Sequence, residues 1–131
     1  MKSAIVLNEN LGVGYLTNAS ACIASGLFHN QEKLIGEHIN GSDMDFIPIT
    51  SIPILILKQS KKSWLELLKR AKRNKLKYMI FTREAQSTVS YEEYVQRVKG
   101  KKLEEVDVIG IGVLGDDEPV KSFSGDLALL K

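Results

Sequence analysis

The 131-residue chain has few of the residues on which several common kinds of protein depend. Its one cysteine, Cys22, excludes an internal disulfide framework. With only His29 and His38 besides, the chain has too few soft ligands for a structural zinc site, and we expect neither a metal nor a cofactor. No apolar run approaches the roughly 20 residues that a membrane-spanning helix needs, and the first residues do not resemble a secretory signal. We therefore expect a cytoplasmic protein without a membrane partner.

The chain also lacks a large net charge, since its basic and acidic residues nearly balance to a formal net charge of +2. The charge is distributed unevenly along the chain. Nine of the eighteen basic residues fall between positions 58 and 77, where Glu66 is the one acid. The stretch from 84 to 126 holds ten acids against five bases. A segment with so few internal counter-charges favours contact with an external polyanion.

Short apolar runs alternate with segments of helical periodicity. The pattern predicts strands over residues 3–7, 52–57, 77–82 and 107–113, and helices over residues 18–28, 60–74 and 90–98. A further short helix is expected from Pro119, and the apolar end LALL suits a last strand. Such alternation is typical of layered α/β proteins. We predict a three-layer α/β/α sandwich with a mixed, mostly parallel four-stranded sheet, forming one domain over residues 1–131.

Two small features complete this prediction. Asn40-Gly41 lies between two apolar stretches, and Asn-Gly is a strong signal for a tight hairpin turn. In the helix over 60–74, the apolar residues Trp64, Leu65, Leu68 and Ala71 are expected on one face, with the basic residues opposite.

Three stretches of the sequence resemble the type II peptidyl-tRNA hydrolase fold, and more closely an uncharacterised family built on that fold. They are LTNASACIASGL near the first helix, IGIG at 109–112 and SGDLALL at 124–130. The order of elements between them agrees as well, so the resemblance covers nearly the whole chain, apart from the hairpin around Gly41, which the hydrolases lack. It implies the hydrolase-like fold, a tRNA or other phosphate-bearing partner and a homodimer.

The hydrolases' catalytic residues are mostly absent from this sequence. Their two lysines, their glutamine and their histidine align with Tyr15, Thr17, Ala21 and Ala24. Their aspartate and threonine have counterparts in Glu84 and Thr88. A threonine cannot replace an ammonium that holds a phosphate or stabilises developing negative charge. We therefore expect no ordinary peptidyl-tRNA hydrolase activity.

The first loop and the end of the third core strand together suggest a cleft. Gly14, Thr17 and Asn18 stand where the first helix is predicted to begin, and either Thr17 or Asn18 suits its N-cap. Backbone N–H groups there favour an anion or a carboxylate. Glu84 and Thr88 follow a strand's carboxyl end, where open α/β sheets bind ligands, and are the candidate catalytic residues. Helix capping by Thr88 and an Arg83–Glu84 ion pair explain the same residues without a ligand.

The basic helix provides the second candidate site. Lys62, Lys69, Arg70 and Arg73 are predicted on its outer face, as contacts for phosphate or RNA. A solvated charged face is the alternative reading. The sequence thus supports three hypotheses: binding of an anionic ligand or RNA in the retained cleft, divergent hydrolysis of an acyl ester through Glu84 and Thr88, and protein interaction through the hairpin.

Overall fold

The computed structural model describes residues 1–131, which form one four-stranded sheet with helices on both faces and a separate hairpin. The strands are β1 (Lys2–Leu7), β2 (Ile39–Asn40), β3 (Asp45–Phe46), β4 (Ile54–Lys58), β5 (Lys77–Thr82) and β6 (Val108–Gly115). The helices are α1 (Val13–Leu27), α2 (Trp64–Arg73), α3 (Arg83–Gln86), α4 (Tyr91–Val98) and α5 (Asp117–Ser124). Two single-turn 3₁₀ helices lie at Glu32–Leu34 and Leu103–Glu105.

The sheet has the strand order β4-β1-β6-β5 and is mixed, as predicted. Only β1 and β4 run parallel, whereas β6 is antiparallel to both of its neighbours. The prediction of a mostly parallel sheet was therefore wrong. A helix between two strands indicates a parallel pair only when the connection crosses the sheet from one end to the other. Here α3 and α4 lie beside β5, and the chain then returns as β6 in the opposite direction.

Each face of the sheet is covered by its own apolar core. Period-2 alternation along β1 and β6 sends side chains to both faces, so these two central strands are almost entirely buried. On one face Leu67 and Ala71 of α2 pack with Val120 and Phe123 of α5. On the other face the buried residues of α1 cover the sheet: Leu16, Ala19, Ile23 and Leu27.

Helix α1 begins five residues earlier than position 18, where the sequence pattern placed it. Its N-cap is Gly12, which is extended and makes no side-chain capping bond. Thr17 consequently lies in the second turn, and its hydroxyl donates to the carbonyl oxygens of Val13 and Gly14 at 3.0 and 3.1 Å. The prediction that Thr17 or Asn18 caps this helix was wrong, because a glycine pair before a helix reads equally well as a loop and as a first turn.

Helix α2 begins at Trp64 rather than near Ser60, because Ser63 is the N-cap and accepts a hydrogen bond from the N–H of Glu66. Its buried face is rotated relative to the predicted one. Leu67 and Ala71 are buried, whereas Leu65 is about half exposed. A ten-residue helix presents few apolar positions, so a shift of one residue changes which of them face the sheet.

The predicted hairpin forms, with strands of two residues each. Ile39 pairs with Phe46, and the N–H of Gly41 donates to the carbonyl of Met44 at 2.8 Å. The C-terminal segment makes a single bridge rather than a full strand, at Leu129 opposite Leu57 on the outer edge of β4. None of the helices combines the length and the apolar character needed to cross a membrane.

Candidate functional site

A cavity of about 440 Å³ opens between α1, β5 and α4, and we call it the α1–α4 pocket. Its lining is made of apolar and hydroxyl-bearing side chains and contains no charged group. The lining residues are Cys22, Ser25, Gly26, Met79, Phe81, Ala85, Thr88, Val89, Ser90, Tyr91 and Tyr94.

Local sequence explains why the pocket exists. Gly26 has no side chain where α1 passes β5, and a Cβ atom there would lie 3.3 Å from Cγ of Met79. Thr82 ends β5 as the N-cap of α3, accepting a hydrogen bond from the N–H of Ala85 at 3.4 Å. The chain therefore turns at the end of β5, and α4 lies beside the strand instead of continuing its direction.

Two tyrosines form the outer wall of the pocket. The rings of Tyr91 and Tyr94 meet edge to face, with centroids 5.4 Å apart and planes at 79°. Ser90 holds the start of their helix by accepting a hydrogen bond from the N–H of Glu93. Burial raises the pKa of the Tyr94 phenol, so this group stays protonated and able to donate a hydrogen bond in neutral solution.

The predicted cleft residues do not share one cavity. Thr88 lines the α1–α4 pocket, and its hydroxyl donates to the carbonyl of Ala85 at 3.3 Å. Gly14 and Asn18 line a separate shallow cleft with Gln86, whose amide nitrogen donates to Asn18 Oδ1 at 3.1 Å. Thr17 lines neither of these cavities, because its hydroxyl is turned back onto its own helix.

Glu84 also lies outside both cavities. Its carboxylate accepts the backbone N–H of Asp107 at 3.0 Å and joins α3 to the start of β6. Arg83 forms its ion pair with Asp107 at 3.3 Å and not with Glu84, and its guanidinium lies 5.3 Å from the ring centroid of Tyr15. In this arrangement Glu84 connects two backbone segments and does not face Thr88 across a shared cavity.

Two of the four basic residues proposed to contact phosphate are held by Asp126. Arg70 is only 11% exposed, and its Nη1 and Nη2 atoms contact the two Asp126 oxygens at 2.8 and 3.1 Å. It also donates to the carbonyl of Phe123, and Lys62 reaches Asp126 at 3.2 Å. The hydrogen bond from Arg70 lowers the pKa of Asp126 to about 2. Arg70 and Lys62 therefore attach the C-terminal segment to α2 and to the loop before it.

The other two of these four residues are exposed and form no ion pair. They are Lys69 and Arg73, which the sequence also proposed for phosphate contact. Three further lysines surround a groove of about 500 Å³ between α2, β5 and α4, which we call the lysine groove. Its lining contains no acid and consists of Leu68, Lys72, Ile80, Thr82, Tyr94, Val98, Lys101, Lys102, Leu103 and Val106.

Sequence reasoning missed most of the α1–α4 pocket. The serine-capped pair Tyr91 and Tyr94 was a usable signal, because aromatic residues three apart on a short polar helix lie on one face. Cys22 is half-buried at the pocket wall. No group of three His, Cys, Asp or Glu side chains is placed to hold a metal ion.

Comparison with known proteins gives a family and a fold. Residues 1–131 match the family described as "Protein of unknown function (DUF2000)". The chain is similar in structure to the protein of unknown function Atu0240 from Agrobacterium tumefaciens strain C58. The TM-score is 0.86 and the sequence identity 19%, over 98% of this chain and 96% of that one. No curated protein matches. At this identity the structural likeness establishes the fold alone.

Proposed function

The chain belongs to the DUF2000 family of proteins of unknown function, and we propose that it binds a small uncharged molecule in the α1–α4 pocket. The observation that carries this proposal is the lining of the pocket. It combines apolar walls with hydroxyl groups, without a lysine, arginine, histidine or carboxylate. A volume of about 440 Å³ lies within the usual range for small-ligand sites. An anion placed there would meet no compensating charge.

The hydroxyl groups define which polar atoms the ligand carries. Ser25 and Thr88 already use their protons on the carbonyls of Cys22 and Ala85, so they offer lone pairs as acceptors. The hydroxyl groups of Ser90 and Tyr94 still have a proton to donate. The Ser90 oxygen only accepts in its capping bond, and the Tyr94 hydroxyl donates to no group of the chain. The pocket therefore suits a molecule with an aromatic or aliphatic body and both a donor and an acceptor.

The test compares two tryptophan variants on the same helix. Ser25→Trp places an indole in the pocket, and Ala21→Trp places one on the exposed surface of α1 outside it. Binding of the neutral apolar dye Nile red and of an uncharged fragment set is measured by fluorescence and by protection of Cys22 from a thiol reagent. We expect binding to the parent chain and to Ala21→Trp, and loss in Ser25→Trp. Equal binding to both variants, or no binding to the parent, contradicts the proposal.

Contact with RNA is a second candidate function, supported by the exposed bases Lys69 and Arg73, which have no acidic partner. Affinity for a labelled single-stranded RNA should fall with salt, with a slope set by the number of phosphates contacted. The double variant Lys69→Gln, Arg73→Gln should reduce that slope by about 1.4, since each single-strand contact contributes about 0.7. Absence of binding at low salt, or an unchanged slope, excludes this function.

We also propose, from the sequence resemblance, that the fold is of the type II peptidyl-tRNA hydrolase kind. We do not propose that the chain hydrolyses esters. Glu84 is engaged with the backbone of Asp107, and the hydroxyl of Thr88 with Ala85. The lining of the pocket contains no cation that could stabilise an oxyanion.

A further inference from the structure

We propose that the chain associates with a second copy of itself by inserting the hairpin of one molecule into the lysine groove of another. The inserted element, which we call the hairpin arm, comprises residues 35–50 around β2 and β3. This inference is independent of the ligand proposed for the α1–α4 pocket.

The hairpin arm exposes an unusual amount of apolar surface. Five large apolar side chains on it are between 52% and 79% exposed: Ile39, Met44, Phe46, Ile47 and Ile49. They lie close together in the sequence, on one small hairpin that contributes no residue to either apolar core. Single exposed apolar residues are ordinary, but five of them on one small hairpin indicate an interaction surface.

The charge of the hairpin arm indicates what covers it. Glu37, Asp43 and Asp45 are its charged residues besides His38, and no lysine or arginine occurs between positions 35 and 57. Of the three carboxylates, only Asp45 has a basic side chain nearby, His38 at 4.0 Å. The partner surface should therefore be apolar in its centre and basic at its rim.

The lysine groove has those properties. Its floor is aliphatic, with Leu68, Ile80 and Leu103 among the lining residues. Around it stand Lys72, Lys101 and Lys102, whose ammonium groups form no ion pair within the chain, and no acid lines the groove. Apolar side chains of the arm would be covered by the floor, and its carboxylates would face the lysines.

The hairpin arm and the lysine groove of one molecule lie too far apart in the fold to contact each other. The hairpin arm leads directly into β4, one edge strand of the sheet, whereas the groove lies beside β5, the opposite edge strand. A second copy supplies the groove that the arm lacks. Because the contact joins two different surfaces, it closes into a finite assembly only when the arms are exchanged reciprocally or around a ring.

Charge reversal tests the proposal, with the molecular mass measured against protein concentration by light scattering and sedimentation. The arm variant is Asp43→Lys, Asp45→Lys, and the groove variant is Lys72→Glu, Lys101→Glu. Each alone should weaken self-association by at least about tenfold, because like charges then face each other. In a mixture of the two variants, each arm meets an oppositely charged groove on the other protein, so mixing should restore association between them. Combining all four changes in one chain should restore association.

Two further measurements keep the result unambiguous. Circular dichroism establishes that each variant is folded, and Glu92→Lys, Asp116→Lys serves as a control with the same charge change on exposed residues elsewhere. A parent chain that stays monomeric at every concentration overturns the proposal. Association that survives arm reversal, or that is lost in the arm variant but unchanged in the groove variant, overturns it as well. Loss of RNA affinity alone in the groove variant would assign the groove to RNA instead.

Discussion

Gly112 of β6 lies directly beneath Ile23 of α1, and a Cβ atom built on Gly112 would overlap Cγ2 of Ile23. The same atom would lie 2.9 Å from Cδ1 of Leu27. At this contact the small residue is therefore on the strand, while the helix contributes the large side chains.

Gly112→Ala should destabilise the fold by about 1–3 kcal/mol, because the added methyl group overpacks a fully buried contact. Urea unfolding followed by circular dichroism measures the change. The control is Gly14→Ala, since nothing lies within 4 Å of a Cβ atom there and the site is helical. That variant should be neutral or more stable by up to about 1 kcal/mol. Equal loss of stability in both variants would contradict this account of the packing.

Glu84 is expected to affect stability rather than ligand binding. Glu84→Ala removes the acceptor for the Asp107 N–H and should lower the free energy of unfolding by about 1 kcal/mol. Glu84→Gln retains an acceptor oxygen and should cost less. Binding of an uncharged ligand in the α1–α4 pocket should be unchanged in both variants, as measured by Nile red fluorescence. A loss of binding in a Glu84→Gln variant that remains stable would show that Glu84 takes part in ligand binding.

Arg70 and Lys69 are adjacent bases with opposite expected behaviour. Arg70→Gln breaks the contacts with Asp126 and the carbonyl of Phe123 and should reduce stability by about 1–3 kcal/mol. Lys69→Gln makes the same charge change on an exposed residue without an ion pair and should leave thermal unfolding nearly unchanged. If the two variants unfold at the same temperature, the contacts of Arg70 with the C-terminal segment do not stabilise the fold.

The depressed pKa of Asp126 predicts how stability depends on pH. Its pKa is about 2 in the folded chain against an ordinary 3.8, so the folded state binds its proton less readily than the unfolded state. The resulting stabilisation is present above pH 3.8 and is lost as the pH falls towards 2. The side chain is 47% exposed, so solvent reduces the effect. The difference in unfolding midpoint between the parent and Asp126→Asn should therefore shrink over this interval.

Local sequence patterns predicted the positions of several strands and helices. Strand direction and side-chain partners depend on residues far apart in the chain, and these the sequence did not show. The strand over residues 77–82 has the predicted bounds, and the helix predicted over residues 90–98 forms as α4, with Ser90 as its N-cap. These features depend on neighbours within a few positions. The direction of β6 depends instead on where α3 and α4 lie, and the role of Arg70 depends on Asp126, which is 56 residues away.

The candidate site was predicted less well for the same reason. Glu84 and Thr88 were correctly placed at the end of β5, but the partners of their polar groups come from the local backbone and from Asp107. A sequence pattern gives the side chain available at a position. It does not give the hydrogen bond that already occupies that side chain.

Tyr94 belongs to two walls at once. It lines the α1–α4 pocket on one side of β5 and the lysine groove on the other. A ring shared in this way cannot shift towards one cavity without widening the other. Displacement of this one side chain therefore changes the shape of a cavity on each face of the sheet.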